Sequence, residues 1–184
     1  MEYKLNLPCT DVTHLSVGDT VLLSGTIYTA RDAGHGRLLE MIEKGEALPF
    51  TLDGNGIYYV GPTPERPGEI IGSAGPTTSG RMDSFAPYLL DLGLKVMVGK
   101  GRRSETVTQS IVKNKAVYLA AVGGAGALMA NGIKSAELIC WDDLGCEALR
   151  KLTIDNLPLT VVIDSTGRDL YAEGPKDYLN SISQ

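Results

Sequence analysis

The sequence predicts an α/β fold, a barrel-like β core surrounded by helices. Three observations carry this. From about residue 81 onward, short apolar runs alternate with segments of helical period. Glycines stand at the ends of those runs, at Gly99 and again between Gly123 and Gly126. A β-rich stretch, Val21-Leu-Leu-Ser-Gly-Thr-Ile-Tyr-Thr, lies in the first part of the chain. With 184 residues and no internal repeat, residues 1–184 are expected to form one domain with a substantial core.

In order, Lys4-Leu-Asn-Leu suggests a short strand that pairs with a partner or a later strand. Val17 to Ala30 holds a stronger strand, with a turn at Gly18-Asp19 before it, and delivers its end to Arg31. Asp32 to Lys44 reads as a helix, with Asp32 as N-cap and Leu38, Leu39 and Ile42 as its apolar stripe. Gly34 and Gly36 weaken it by roughly 1 kcal/mol each and loosen the placement of Arg31. Asp53-Gly-Asn-Gly marks a hairpin leading to a strand, Ile57-Tyr-Tyr-Val. Pro62 to Gly68 is a loop, and Ile70-Ile71 a strand. A helix from Arg81 to about Leu92 follows, then a strand at Lys95–Val98, a helix at Ser104–Asn114 and a strand at Ala116–Val122. The remainder reads as a helix at Ala127–Asn131, strands at Ser135–Trp141 and Leu159–Asp164, and a closing helix at Pro175–Ile182.

Apolar residues at 43% and charged at 21% are globular values and exclude a disordered chain. Seventeen basic against 22 acidic residues, few aromatics and no basic run argue against a nucleic-acid partner. No apolar run approaches the roughly 20 residues of a membrane span, and no signal peptide is evident, so a cytoplasmic protein without a membrane partner is expected. Cys9, Cys140 and Cys146 are scattered, with no Cys-x-x-Cys. They read as structural thiols rather than cluster ligands, Cys140 as a core strand residue.

The most specific stretch is Gly75-Pro-Thr-Thr-Ser-Gly-Arg-Met-Asp-Ser-Phe-Ala-Pro87. Turn residues and small hydroxyls pass into Met82, Phe85, Leu89 and Leu90, spaced like one helix face. This order places backbone N–H groups, Thr77, Thr78 and Arg81 at a helix N-terminus, suited to a carboxylate or phosphate. Turn chemistry accounts for the same residues, with Ser79 as the helix cap and Arg81 on the surface. Gly99-Lys100 lacks the glycine spacing and following Ser or Thr of a phosphate loop. Met129 stands where a dinucleotide fingerprint needs glycine.

That block resembles the signature of the β subunit, or C-terminal domain, of class I iron–sulfur fumarate hydratases, shared in large part by tartrate dehydratases. Thr29-Ala-Arg-Asp-Ala-Gly-His-Gly-Arg37, Val98-Gly-Lys-Gly101 and Val122-Gly-Gly-Ala-Gly126 resemble further blocks in the family's order, so the likeness covers nearly the whole chain. It implies the swivelling β/β/α domain and the reversible hydration of fumarate to L-malate by a two-subunit hydro-lyase. It also implies a hetero-oligomer with a fumarase α subunit, which ligates the four-iron four-sulfur cluster while this chain binds none. By the same resemblance Thr77 is the proton-transfer candidate. Arg31, Arg81 and Lys100 clamp a carboxylate of fumarate or malate, the guanidinium as a fork and the ammonium as a point charge. Asp32, His35, Thr78 and Asp83 support them. His35, four residues past Arg31, is placed to orient Arg31 or Asp32, while His14 reads as exposed. Asp32 and Asp83 either cap helices or brace the arginines. L-Tartrate dehydration on the same scaffold, and a stand-alone small-anion-binding module, are the other readings.

Overall fold

A computed structural model describes residues 1–122 and 124–182 of the protein. Its strands are β1 (Glu2–Leu7), β2 (Thr20–Thr29), β3 (Gly56–Tyr58), β4 (Val96–Gly99), β5 (Val117–Ala120), β6 (Ile133–Cys140) and β7 (Leu149–Ile163). β2 to β5 run parallel to their neighbours, and β7 runs antiparallel to both β5 and β2. The sheet thereby closes into a five-stranded barrel, with β1 and β6 attached outside the ring.

Closure depends on two long strands that change partners along their length. β2 pairs with β1 through Gly25 and then with β3 at Tyr28 and Thr29. β7 pairs with β6 from Leu149 to Ile154 and then with β5 from Thr160 to Ile163.

Side chains alternate between two apolar clusters, as a strand's period of two requires. Val96, Val98, Leu119 and Val161 belong to the barrel interior. Met97, Tyr118 and Val162 face the helices α1 (Asp32–Lys44), α2 (Ala86–Asp91) and α3 (Glu105–Asn114), which bring Leu38, Leu89, Leu90, Val107 and Ile111 onto the outer face. Each such fully buried side chain contributes about 1.5–3 kcal/mol relative to exposure. The short α4 (Gly126–Asn131) follows β5 as expected. Gly123, part of the Val122–Gly126 block, lies outside the described residues. Among the described residues no helix is long and apolar enough to cross a membrane.

Several boundaries differ from expectation. Asp53-Gly-Asn-Gly makes a turn, with Asn55 N–H on Leu52 O at 2.9 Å, but no hairpin. The strand after it is parallel to both neighbours, because α1 carries the chain across between β2 and β3. Ile70 and Ile71 form no strand, and only Ile71 is buried. The helix expected from Arg81 is instead a 3₁₀ turn, Ser79–Met82, followed by α2. Pro87 tolerates only the first turn of a helix, so the α-helix begins at Ala86. Leu159–Asp164 proved to be the end of the fifteen-residue β7. Asn156 adopts φ +50°, yet Pro158 still pairs in register with Leu22. The closing helix α5 (Leu170–Ile182) starts ahead of Pro175, where Asp169 accepts the Tyr171 N–H at 2.8 Å.

Candidate active site

The carboxyl ends of the parallel strands share one rim, the end of an α/β sheet where ligands bind. The Thr-Thr block enters that rim as a wedge between β3 and β4. Val60 bridges to Pro76 on one side, and Thr78 bridges to Lys100 on the other. Thr77 N–H donates to Tyr59 O at 2.8 Å and Ser79 N–H to Lys100 O at 2.8 Å. Thr78 is accordingly extended, at φ −65° and ψ 116°. The expected helix N-terminus is therefore absent here, and two of the N–H groups expected to meet an anion are bound to strand ends.

Thr77 is half-buried, and its hydroxyl has no hydrogen-bond partner among the described residues; Thr78 is exposed. Ser79 does not cap a helix. It is fully buried, and its Oγ accepts the Lys100 N–H at 3.0 Å. A Cβ on residue 99 would lie 1.9 Å from that oxygen, which explains Gly99.

Arg31 ends β2 and precedes α1. Its Nη2 lies 3.3 Å from Glu147 Oε1, while the other Glu147 oxygen accepts the Ala33 N–H at 2.9 Å. Glu147 belongs to a 3₁₀ segment, Asp142–Glu147, tied to α1 again by Arg37 Nη1 on Asp143 at 2.9 Å. Gly61 makes room for Arg31, since a Cβ there would stand 2.7 Å from Nη1.

Asp32 is not the N-cap of α1. It sits inside the first turn and braces Arg81, whose Nε donates to Oδ1 at 2.8 Å; Arg31 Nε is 4.0 Å from its other oxygen. Asp83 also braces an arginine, though neither Arg31 nor Arg81. It accepts from Arg103 Nε and from Ser104 N–H, each at 2.6 Å. The Arg103 side chain is fully buried, 5.3 Å from the Tyr59 ring and 5.1 Å from the Tyr118 ring. Both rings offer it their negative faces.

His35 is completely buried, with Nδ1 2.9 Å from the Arg31 carbonyl. A carbonyl only accepts, so Nδ1 carries the proton and donates. Burial pushes the imidazole pKa down to about 4, so the ring is neutral at pH 7. The expected contact with the Arg31 or Asp32 side chain gives way to one with the Arg31 backbone. His14 is exposed, as expected.

The cations divide unevenly. Arg31 and Arg81 together face two carboxylates, Asp32 and Glu147. Lys100 is half-buried, and its ammonium has no ion pair among the described residues. It lines an open groove of about 410 Å³ with Thr78, Gly101, Ala121, Thr160 and Tyr171, which neither Arg31 nor Arg81 reaches. Glu147, Arg103 and Tyr118 were not foreseen. Glu147 stands 114 positions from Ala33, beyond any local pattern.

Cys9 is half-buried with its N–H on Gly54 O at 2.7 Å, and burial pushes its thiol up to about 11. Cys140, expected in the core, is only partly buried at the end of β6, and Cys146 is exposed. Among the described residues no three His, Cys, Asp or Glu side chains converge as a metal-binding group. These scattered thiols do not fit an iron–sulfur cluster.

A family model described as the fumarase C-terminus matches residues 3–174. A putative L(+)-tartrate dehydratase subunit beta from Methanocaldococcus jannaschii is 38% identical over 100% of this chain and 98% of that protein. The L(+)-tartrate dehydratase subunit beta of Escherichia coli strain K12 is 35% identical over 90% of this chain and 84% of its own length. The aerobic class I fumarate hydratase of the same strain is 37% identical over 92% of this chain, which spans only 32% of that enzyme.

Proposed function

The chain belongs to the family of fumarase C-terminal domains, and from that premise we propose that it is the β-type subunit of a hydro-lyase hydrating fumarate to L-malate with an α-type partner. The observation that carries this reading is the half-buried Lys100, whose ammonium is free of any carboxylate among the described residues, beside the extended Thr77-Thr78 segment. A substrate carboxylate supplies the missing counter-charge, a contact of about 1.5–3 kcal/mol. Arg81 and Arg31 close on the substrate from the β2 side, exchanging part of their pairing with Asp32 and Glu147 for it.

Hydration places a proton on one carbon of the double bond and a hydroxyl on the other. With one carboxylate held at Lys100, the Thr77 hydroxyl is the group of this chain assigned to that proton. A threonine hydroxyl is a weak acid and base, and neighbouring cations favour its ionised form. Orientation supplies the rest, by turning an encounter into a fixed geometry. The four-iron four-sulfur cluster is assigned to the partner chain, and the complex to the cytoplasm.

A second reading, L-tartrate dehydration, is favoured by one fact. Two relatives that this chain matches over most of their length are named as a putative and a plain L(+)-tartrate dehydratase subunit beta. Co-expression with an α-type chain and anaerobic assay of both reactions separates the two. Fumarate hydration is expected with kcat/KM at least about tenfold above L-tartrate dehydration, and with no turnover by this chain alone. The reverse preference establishes the second reading. An assembled complex acting on neither substrate leaves a small-anion-binding module.

A further inference from the structure

The Lys100-Gly101 turn, directly after β4, has all four backbone polar groups held by other residues. Lys100 N–H donates to Ser79 Oγ at 3.0 Å, and Lys100 O accepts from Ser79 N–H at 2.8 Å. Gly101 N–H donates to Tyr171 Oη at 3.1 Å, and Gly101 O accepts from Tyr118 Oη at 2.9 Å. Ser79 Oγ and Tyr118 Oη are themselves 2.9 Å apart.

The ends of this chain fix every proton in it, because an amide only donates and a carbonyl only accepts. Lys100 N–H gives to Ser79 Oγ, Ser79 Oγ–H gives to Tyr118 Oη, and Tyr118 Oη–H gives to Gly101 O. The loop begins and ends on one two-residue turn and passes through the Thr-Thr block and β5. Ser79 and Tyr118 are both fully buried, so neither hydroxyl has water as an alternative partner. Burial also raises the Tyr118 pKa, which keeps its donated proton in place. The Arg103 guanidinium, anchored by Asp83, lies over the Tyr118 ring at 5.1 Å and packs against it.

We propose that Tyr118 and Ser79 are positioning residues, whose hydrogen-bond loop sets the Lys100 ammonium against the extended Thr77-Thr78 segment and so sets the affinity for a substrate carboxylate. The proposal rests on Lys100 as the substrate clamp. A lysine carries a flexible stem, so a fixed backbone at its root sets where the side chain starts and narrows the space its ammonium can search. The two hydroxyls touch no substrate and act through the turn alone.

The test uses Tyr118→Phe, Ser79→Ala and the double variant, which keep the buried shapes nearly intact. Amide hydrogen exchange on the chain alone needs neither partner nor substrate. Both single variants should speed exchange of the Lys100 amide by about tenfold or more while Val96 to Val98 stay protected. Tyr118→Phe is the informative one, since it leaves the direct acceptor Ser79 Oγ in place. In the complex with the α-type chain, each single variant should raise KM by about tenfold with kcat changed less than about threefold. The double variant should cost little more than either single one, because both break one loop. Unchanged exchange at Lys100, or KM increases that multiply in the double variant, overturns the proposal. A wild-type complex inactive on both substrates removes the functional reading instead, and the exchange result still decides whether the loop fixes the turn.

Discussion

On the β2 side of the rim, Arg31 and Arg81 lie against Asp32 and Glu147, and on the β4 side Lys100 meets no carboxylate among the described residues while its backbone is fully bonded. The two sides solve different problems. Partly exposed ion pairs are worth only about 0–1 kcal/mol each, so the arginines can leave their carboxylates for a ligand at small cost. A fully bonded, half-buried backbone rearranges less cheaply. In the proposed clamp, the β2 side is the adjustable half and the β4 side carries the charge on the more constrained backbone.

The largest effect is expected where the two halves meet. Thr77→Val keeps the shape of the wedge and removes the hydroxyl assigned to the proton. In the complex, kcat should fall by about two to four orders of magnitude with equilibrium malate binding little changed. Normal turnover with only a higher KM would make Thr77 a binding residue.

Acid should then loosen one side before the other. His35 sits under the β2 side, and its folded pKa of about 4 lies below its ordinary value of 6.5. The unfolded chain therefore binds the proton first. The resulting stability is complete above about pH 6.5 and is lost as pH falls toward 4, with an upper size of about 3 kcal/mol. Urea unfolding of wild type between pH 7 and pH 4 should show this slope, and His35→Asn should flatten it. Equal slopes in both proteins would contradict the assignment of the neutral imidazole.

Glu147→Gln tests whether the arginine pairing restrains the adjustable half. An amide oxygen still accepts the Ala33 N–H, but one negative charge is gone. KM for the dicarboxylate should drop by about two- to fivefold, and high salt should erase the difference. A raised KM would mean that Glu147 orients Arg31 productively.

The smallest change concerns the helix behind Arg31. Gly36 lies in the interior of α1, and a Cβ added there would meet no atom within 4 Å. Gly36→Ala should raise stability by about 0.5–1 kcal/mol in thermal unfolding. KM should not move, because Glu147 and Gly61 place Arg31.

Much of this rim was legible in the sequence, and the limits are physical. Arg31 and Lys100 could be placed after strands because β-branched runs and glycines mark strand ends locally. The Thr-Thr block was recognisable as a block, but its shape was not. An extended wedge needs Val60 and Lys100 on either side, and no local spacing announces them. Asp32 looked like a cap because caps and braces use the same residue type. Tyr118 read as one more apolar strand residue, since its hydroxyl acquires meaning only through Ser79 and Gly101. The first two-thirds of β7 were missed because Asn156 and Pro158 resemble a break, although the strand passes through both.

The division between a charge on a constrained backbone and an adjustable one is tested most directly by comparing Lys100→Met with Arg31→Met in the assembled complex, by steady-state kinetics and malate binding. Both remove a cation and keep a flexible apolar stem. Lys100→Met should raise KM and the malate Kd by about ten- to a hundredfold, as expected for a lost charge-assisted contact, and Arg31→Met by only a few-fold. A larger loss in Arg31→Met than in Lys100→Met would contradict the account.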